Sequence, residues 1–311
     1  MVPDARRTLC IVNPAAGAGR GGSFADVVLP RLREVEDRLE VAYTERPGHA
    51  SEIAAEGGAR ADLVIAAGGD GMVSEVVHGL VGGGHAPVFA TIPLGSACDF
   101  ALNLGVRDID LALSALERGI EMRLDVGEVC LRGPEGPARR HFVLTTGTGF
   151  SARVIERATP RAKRLFRANA YTVAGVLAAV GYRPPLMRWR IDGEEGEGRV
   201  FNFVVASAEL ESGGAPMSPG ARLDDGRMHV GIWRGPGGLR GLWRMRLIFS
   251  GEHIHQPGFV YRPALEVEID SEPPAGVQVD GEVPGRTPAS FRILPGRLRA
   301  LTSRAGSGGQ E

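Results

Sequence analysis

Nine consecutive residues carry the strongest chemical signal in this chain: Leu63-Val64-Ile65-Ala66-Ala67-Gly68-Gly69-Asp70-Gly71. An apolar run ends in three glycines around one aspartate, and a helix-forming stretch follows over 72–80. A strand that turns through glycine into a helix can hold a phosphate group. Backbone N–H groups converge there, missing side chains admit the ligand, and the helix N-terminus is partly positive. A carboxylate inside such a turn repels phosphate unless a cation stands between them, so Asp70 points to a metal–nucleotide site. The plainer reading is a tight turn with Asp70 capping the helix. Two adjacent glycines ahead of the aspartate exceed what a cap needs.

The pattern recurs. Pro93-Leu94-Gly95-Ser96-Ala97-Cys98-Asp99-Phe100 again sets glycine, a hydroxyl and an acid after an apolar strand. Asp99 alone could be an N-cap, but two carboxylates on successive strand ends could share a water-bridged Mg2+. Asn13-Pro14-Ala15-Ala16-Gly17-Ala18-Gly19-Arg20 follows the first apolar run. Asn13 and Arg20 suit a loop beside a nucleotide, and equally an ordinary strand-to-helix turn. Neither glycine loop fits the P-loop or the Gly-x-Gly-x-x-Gly dinucleotide fingerprint. Gln278-Val279-Asp280-Gly281-Glu282 places two acids at a strand end, where Asp280 could accept a proton from an attacking hydroxyl. Local sequence alone favours a hairpin turn there. Six cations, Arg153, Arg157, Arg161, Lys163, Arg164 and Arg167, precede an apolar segment. They suit an anionic membrane surface or a solvated face.

These residues need elements to position them. Over 8–12, 39–44, 61–66 and 88–92 short apolar strands alternate with helical patterns over 24–39, 50–56, 72–80 and from 99 onward. That alternation predicts an α/β domain with a parallel sheet covered on both faces. Beyond about 124 the period changes to two, with strands expected over 123–131, 141–146, 187–192, 200–206, 228–233, 265–269, 276–280 and 290–294. Turn signals at Asp192-Gly193 and Asp225-Gly226 separate them. An antiparallel β-sandwich follows, interrupted by a helix expected from Thr159-Pro160 to about 180. The tail 305–311 reads as disordered.

At 311 residues, 43% apolar and 23% charged, the chain is a globular protein of one or two domains. A net charge of −1 gives no bulk attraction to nucleic acid. Cys10, Cys98 and Cys130 show neither metal-ligand spacing nor a disulfide framework, which fits a reducing cytosol. The longest helical apolar stretch falls short of the ~18 residues that cross a bilayer.

In order and spacing the motifs resemble the diacylglycerol kinase catalytic family, which includes sphingosine kinases and soluble bacterial lipid kinases. The resemblance rests on Asn13-Pro14 with Gly17, Gly68-Gly69-Asp70-Gly71 with Glu75, Pro93-Leu94-Gly95 with Asp99-Phe100, and Leu124-Asp125-Val126-Gly127. Gly147 and Phe150, Pro219 with Leu223-Asp224-Asp225-Gly226, and Asp280-Gly281-Glu282 continue it. It implies a nucleotide domain over 1–124, a lipid-substrate β-sandwich over 125–290, a return to the first domain near 291–304, and an active site in the cleft between them. It also implies ATP and Mg2+ as cofactors. Gly68, Gly69, Gly71, Gly95 and Ser96 would line the nucleotide with Asn13, Arg20 and Glu75. Asp70 and Asp99 would anchor a water–Mg2+ network, and Asp224 and Asp225 would border a second metal. Asp280 would be the general base, supported by Glu282. The expected reaction is ATP- and Mg2+-dependent phosphorylation of a diacylglycerol-like or sphingoid-like hydroxyl, by a cytoplasmic protein peripherally bound to the membrane and able to oligomerise.

The chain departs from the family pattern at Met72 (threonine elsewhere), Ser74 and His78 (asparagine), Ala97 and Cys98 (a small residue and asparagine) and Ser151 (aspartate). Those changes leave open a nucleotide- or lipid-binding protein with weak or no kinase activity. A soluble-substrate kinase such as an NAD kinase shares the Gly-Gly-Asp-Gly turn. Glu75 and Asp280-Gly281-Glu282 fit the lipid branch better.

Overall fold

The computed structural model describes residues 6–16, 24–158, 170–235 and 237–303. Arg20, the expected helix start at Thr159-Pro160, the cations Arg161, Lys163, Arg164 and Arg167, and the tail 305–311 lie outside them. The chain divides into two units. The first comprises Met1–Val126, Ser212–Gly214 and Pro295–Glu311, and the second Gly127–Glu211 and Ala215–Leu294. The three-residue contribution of Ser212–Gly214 has no counterpart in the division read from sequence.

In the first unit the strands are β1 (Arg7–Val12), β2 (Arg38–Tyr43), β3 (Leu63–Gly68) and β4 (Val88–Pro93). β1 pairs in parallel with both β2 and β3, and β3 with β4, giving the order β2-β1-β3-β4. Arg299 and Ala300 add a further parallel neighbour beside β4. All six residues of β3 are buried, as a central parallel strand requires. The helices are α1 (Leu29–Val35), α2 (His49–Gly57), α3 (Asp70–Gly82), α4 (Asp99–Asn103) and α5 (Ile109–Arg118).

The helix expected over 24–39 is shorter. A wide π turn over Phe24–Val28 leads into α1, which stops at Val35. Glu36 ends it: its buried carboxylate accepts the Thr8 hydroxyl at 2.5 Å and the Arg6 guanidinium, tying the chain down to β1. Leu39 already belongs to β2, opposite Thr8.

The second unit is built mainly from antiparallel strands. β5 (Glu121–Gly133) enters it and pairs with β6 (Gly136–Phe142); β7 (Thr145–Gly149) runs into α6 (Phe150–Arg157). After α7 (Ala170–Ala179) come β8 (Leu186–Ile191), β9 (Glu194–Ala206), the short pair β10 (Leu210–Glu211) and β11 (Ala215–Pro216), and β12 (Met228–Arg234). α8 (Gly238–Met245) precedes β13 (Phe259–Ala264), β14 (Glu266–Glu272), β15 (Gly276–Val279) and the 20-residue β16 (Glu282–Leu301).

The two layers share strands. β9 pairs with β8 through its first half and with β7 through its second, while β16 pairs with β15 and then β14. With β7–β15 and β8–β14 the ladder closes into a ring of six strands, which leaves no open edge in that ring. Trp189, Phe203, Val205, Ile269, Val277 and Phe291 belong to the buried core of this unit.

Three expected strands differ for identifiable reasons. The strand over 141–146 is interrupted at Val143 and Leu144, whose N–H groups donate to the Asp280 side chain. The strand expected over 265–269 begins one residue later as β14, because the Leu265 N–H donates to the Asp192 carboxylate at 2.9 Å, and β13 ahead of it has no counterpart in the sequence reading. The strand over 276–280 stops at Val279, because Asp280 (φ 42°) and Gly281 (φ 90°) form a two-residue hairpin turn into β16. α8 and the 3-10 turns over Arg246–Ser250 and Glu252–His255 have no counterpart in the sequence reading.

Candidate active site

The strand order fixes where a ligand site belongs in the first unit. From β1 the chain crosses to β2 on one side, and from β3 to β4 on the other. The two connections part at the carboxyl ends of β1 and β3, leaving a crevice at the switch point. Asn13 follows β1 and Gly68 ends β3. The Asn13 N–H donates to the Ala67 carbonyl at 3.1 Å, and its side-chain oxygen accepts the Ala15 N–H at 2.9 Å. The Asn13 Cβ lies 3.7 Å from where a side chain on Gly68 would begin. The β3 and β4 turns also touch. A Cβ on Gly95 would fall 2.6 Å from the Gly69 Cα, so only glycine allows that approach. A Cβ on Gly71 would meet nothing within 4 Å. Ser96 is exposed beside Gly95.

Asp70 opens α3, and its Oδ1 accepts the Phe100 N–H of α4 at 2.9 Å. One carboxylate therefore joins the two turns. Burial pushes the Asp70 carboxyl above its ordinary range, against the pull of the Phe100 and Asp99 N–H groups. The Asp99 charge adds to the upward push. Two nearby acids at one end of a parallel sheet are thus brought together, and a cation would relieve both.

Asp99 is buried and already busy. Its Oδ1 accepts the Gly214 N–H at 2.7 Å and the Gly213 N–H at 3.1 Å, and its Oδ2 lies 3.0 Å from the same Gly213 nitrogen. Ser212, Gly213 and Gly214 all have positive φ (57°, 86° and 87°), which aims both N–H groups at one acceptor. Sequence reasoning missed this partnership. Its only local signal is the Gly213-Gly214 pair, which gives no hint of its partner. Glu75 has another contact than the one expected of it: its Oε2 accepts the Ala50 N–H at 3.2 Å in the first turn of α2.

In the second unit Asp280 sits in its hairpin turn, and its carboxylate accepts three backbone N–H groups. Val143 donates to Oδ2 at 3.0 Å, while Leu144 and Thr145 donate to Oδ1 at 3.1 and 3.0 Å. The Asp280 N–H returns a bond to the Thr145 carbonyl at 2.8 Å. The hairpin reading and a chemical reading of Asp280 are therefore compatible: the turn is real, and the side chain fastens it. Glu282 is exposed at the first position of β16. Asp224 receives the Arg222 guanidinium through two bonds of 2.9 Å. Asp225 accepts the Arg222 and Arg227 N–H groups and lies 2.9 Å from His229 Nε2. Burial works to raise the Asp225 carboxyl, but the His229 contact and those two N–H bonds bring it below its ordinary value. Both carboxylates at the expected second metal thus carry protein partners.

The departures from the family pattern separate by position. Met72 is buried, with its Cβ 2.7 Å from where a Gly68 side chain would begin; it packs beneath the turn. Cys98 is buried with φ 54°, a left-handed conformation that asparagine tolerates better than most residues. Its thiol donates to the Gly68 carbonyl at 3.7 Å, and burial, helped by the Asp70 charge, pushes it up to about 11. Ser151 keeps a polar role, with both its N–H and its hydroxyl 2.9 Å from the Asn202 side-chain oxygen.

Among the described residues no three His, Cys, Asp or Glu side chains cluster to hold a bare metal ion. Mg2+ does not require such a cage: it keeps several waters and binds through one or two carboxylates plus substrate phosphates. A desolvated Asp70 beside glycine N–H groups and the open space at Gly71 fits that mode.

Comparison with known proteins bears on the family and the fold. Residues 7–129 match the family described as diacylglycerol kinase catalytic domain, and residues 145–302 match the YegS C-terminal NAD kinase beta sandwich-like domain. The diacylglycerol kinase of Bacillus subtilis (strain 168) is 26% identical over 289 residues, covering 92% of this chain and 93% of that protein. A "Probable lipid kinase YegS-like" of Chromohalobacter salexigens is 31% identical over 278 residues, covering 86% of this chain and 85% of that one. The crystal structure of a diacylglycerol kinase from Bacillus anthracis str. Sterne has the same fold, with a TM-score of 0.71 at 22% identity over 96% of this chain and 97% of that one. The chain belongs to the diacylglycerol kinase catalytic family of lipid kinases.

Proposed function

We propose that the protein transfers the γ-phosphate of ATP, with Mg2+, to the hydroxyl of a membrane lipid of the diacylglycerol or sphingoid type. The observation that carries the reading is the Asp70 carboxyl, held by burial above its ordinary range at the mouth of α3, where two glycine turns meet. A desolvated acid there is costly unless a cation binds it. Bound Mg2+-ATP supplies the phosphoryl group and the neutralising charge.

The chain's own residues have distinct tasks in this reading. Gly68, Gly69, Gly71 and Gly95 leave room for phosphate and present N–H groups, while Asn13 and Ser96 border the crevice. Asp70 takes the cation. Asp99 holds the Gly213-Gly214 N–H pair and adds negative charge beside Asp70. Asp280, oriented by three N–H groups, accepts the proton of the lipid hydroxyl, and Glu282 adds to the negative field around it. Met72 is buried against Gly68, and the glycines and acids assigned to this chemistry are all present in the chain.

The test is transfer of labelled γ-phosphate to a panel of lipid alcohols in mixed micelles with Mg2+. One or more alcohols should be phosphorylated, Asp70→Asn should abolish transfer, and EDTA should do the same. Nucleotide binding with no transfer to any alcohol would establish the binding-protein reading instead.

A further inference from the structure

Among the described residues of the second unit, several large apolar side chains left in solvent lie on two helices and the turn that follows. Val176 (45% exposed), Leu177 (52%) and Val180 (63%) lie on or just past α7. Leu239 (61%), Trp243 (60%) and Phe249 (71%) lie on α8 and the next turn. The helices touch. A side chain on Gly175 would meet Leu242 at 3.7 Å, and one on Gly238 would meet the Ala179 carbonyl at 3.5 Å. Ala178 and Ala179 are buried, with Leu242 and Met245 packed against their cluster. The Gly238–Ala179 contact sets Leu239 and Val180, one residue on from each, at the same junction.

The charge carried by the two stretches that form this face has one sign, the nearest exposed acids being Glu156 on α6 and Glu252 beyond the second stretch. No Asp or Glu occurs over 170–191 or over 234–251, and every charged residue in both stretches is arginine. Arg183, Arg240 and Arg246 are exposed. The Arg246 guanidinium lies 3.8 Å from the centre of the Trp243 ring. The chain as a whole has net charge −1, so this is a local excess. By contrast, Arg153 and Arg157, the described members of the basic run read from sequence, are engaged with the protein backbone. They donate to the Ala178 and Leu177 carbonyls at 3.0 and 2.9 Å and fasten the end of α7.

We propose that the α7–α8 face is the docking surface for an anionic lipid bilayer. The inference rests on the lipid-kinase reading for its biological sense, and on the patch itself for its physics. Over the described residues neither helix is long enough to span a membrane, and the proposed position of the pair is in the interface. Leucine, valine, tryptophan and phenylalanine enter the headgroup boundary, and the arginines meet lipid phosphates. A second copy seated on the same patch would set arginine against arginine, which disfavours a homodimer.

The full chain is tested by flotation with phosphatidylcholine vesicles, with and without phosphatidylglycerol. Trp189 and Trp233 are buried, so a lipid-induced change in tryptophan emission reports Trp243. On phosphatidylglycerol vesicles the emission should shift to the blue and be quenched by brominated acyl chains. Replacing two cations, Arg240→Gln with Arg246→Gln, should weaken binding to those vesicles about 30-fold. Leu239→Ser with Trp243→Ser should weaken it at least ~10-fold on both vesicle types. Both double variants should phosphorylate a short-chain, water-dispersed diacylglycerol at the wild-type rate. Wild-type flotation by both variants, or unchanged Trp243 emission in floated protein, overturns the proposal. So does a dimer that the Leu239/Trp243 variant disrupts while flotation is unchanged, since it assigns the patch to a second copy. Insertion of Trp243 by a protein that phosphorylates no alcohol supports the docking face and removes the kinase reading.

Discussion

Asp280→Asn separates what the carboxylate holds from what it does. Three N–H groups converge on it: two, from Leu144 and Thr145, on Oδ1, and one, from Val143, on Oδ2. A hydrogen bond to a charged acceptor is worth about 1.5–3 kcal/mol. Alanine would strip all three, about 4.5–9 kcal/mol, which rivals the ~5–15 kcal/mol that keeps a domain folded. Asparagine can keep its oxygen on Leu144 and Thr145 and set its amide against the Val143 N–H. One bond is lost, about 1.5–3 kcal/mol. Amide exchange should therefore quicken by about 10- to 150-fold at Val143, with smaller changes at Leu144 and Thr145. Turnover should fall further than that disturbance explains, by about 10²–10⁴, the usual contribution of a general base. Nucleotide affinity should stay unchanged, because the glycine turns and Asp70 are untouched. Initial rates of γ-phosphate transfer, nucleotide titration and exchange at residues 143–145 make the assay. Turnover within tenfold of wild type would refute the base assignment and leave Asp280 as a clamp. Unaltered exchange at Val143 would refute the clamp.

Three further outcomes follow from the first unit. Because burial raises the Asp70 carboxyl, the associated stability is complete below the ordinary carboxyl range and is lost as pH rises through the raised value. Asp70→Asn should therefore melt higher than wild type at neutral pH without Mg2+. Mg2+-nucleotide should bind wild type more weakly as pH falls through that window, because the carboxylate must first lose its proton; equal melting temperatures and pH-independent binding would contradict this. Gly95→Ala sets a Cβ 2.6 Å from the Gly69 Cα, so it should cost about 1–3 kcal/mol in denaturant titration and weaken nucleotide binding; a neutral result would mean that the turns need not touch. With its thiol pushed up to about 11, Cys98 should react with iodoacetamide far more slowly at neutral pH than the less buried Cys130; equal labelling by mass spectrometry would show that the β4 turn opens readily.

Sequence shows the first unit best where local rules are strict. β3 reads as a buried strand because six apolar or small residues run uninterrupted into glycine. The Gly-Gly-Asp-Gly turn reads as a phosphate cradle because few other purposes need those residues together. The misplaced boundaries mark places where distant side chains overrule local pattern. Glu36 ends α1 because Thr8, 28 residues earlier, takes its carboxylate. Val143 and Leu144 leave their strand because Asp280, 137 and 136 residues later, collects their N–H groups. Leu265 leaves its strand for Asp192. No window of ten residues contains either partner of these bonds together. α8 escaped because glycine and arginine dilute its apolar positions, though its Leu239 and Trp243 spacing is helical.

The same logic reaches the three acids that carry the proposed chemistry. Each has a modest local explanation, a cap or a turn, and each uses its carboxylate to gather N–H groups from another segment. Asp70 takes Phe100, Asp99 takes Gly213 and Gly214, and Asp280 takes Val143, Leu144 and Thr145. An acid bonded in this way is oriented before any ligand arrives, which is what electrostatic stabilisation of a transferring phosphoryl group requires. The structural and chemical roles therefore reinforce one another, and alanine scanning will confound them. Asparagine keeps an acceptor and removes the charge; glutamate keeps the charge and moves the acceptor. For Asp99 the pair is decisive. If its task is to hold the diglycine, Asp99→Asn should retain most of the transfer rate and Asp99→Glu should lose it, with faster exchange at Gly213 and Gly214. If its charge serves the cation, the order reverses, and Mg2+ dependence shifts in Asp99→Asn before any change in exchange appears.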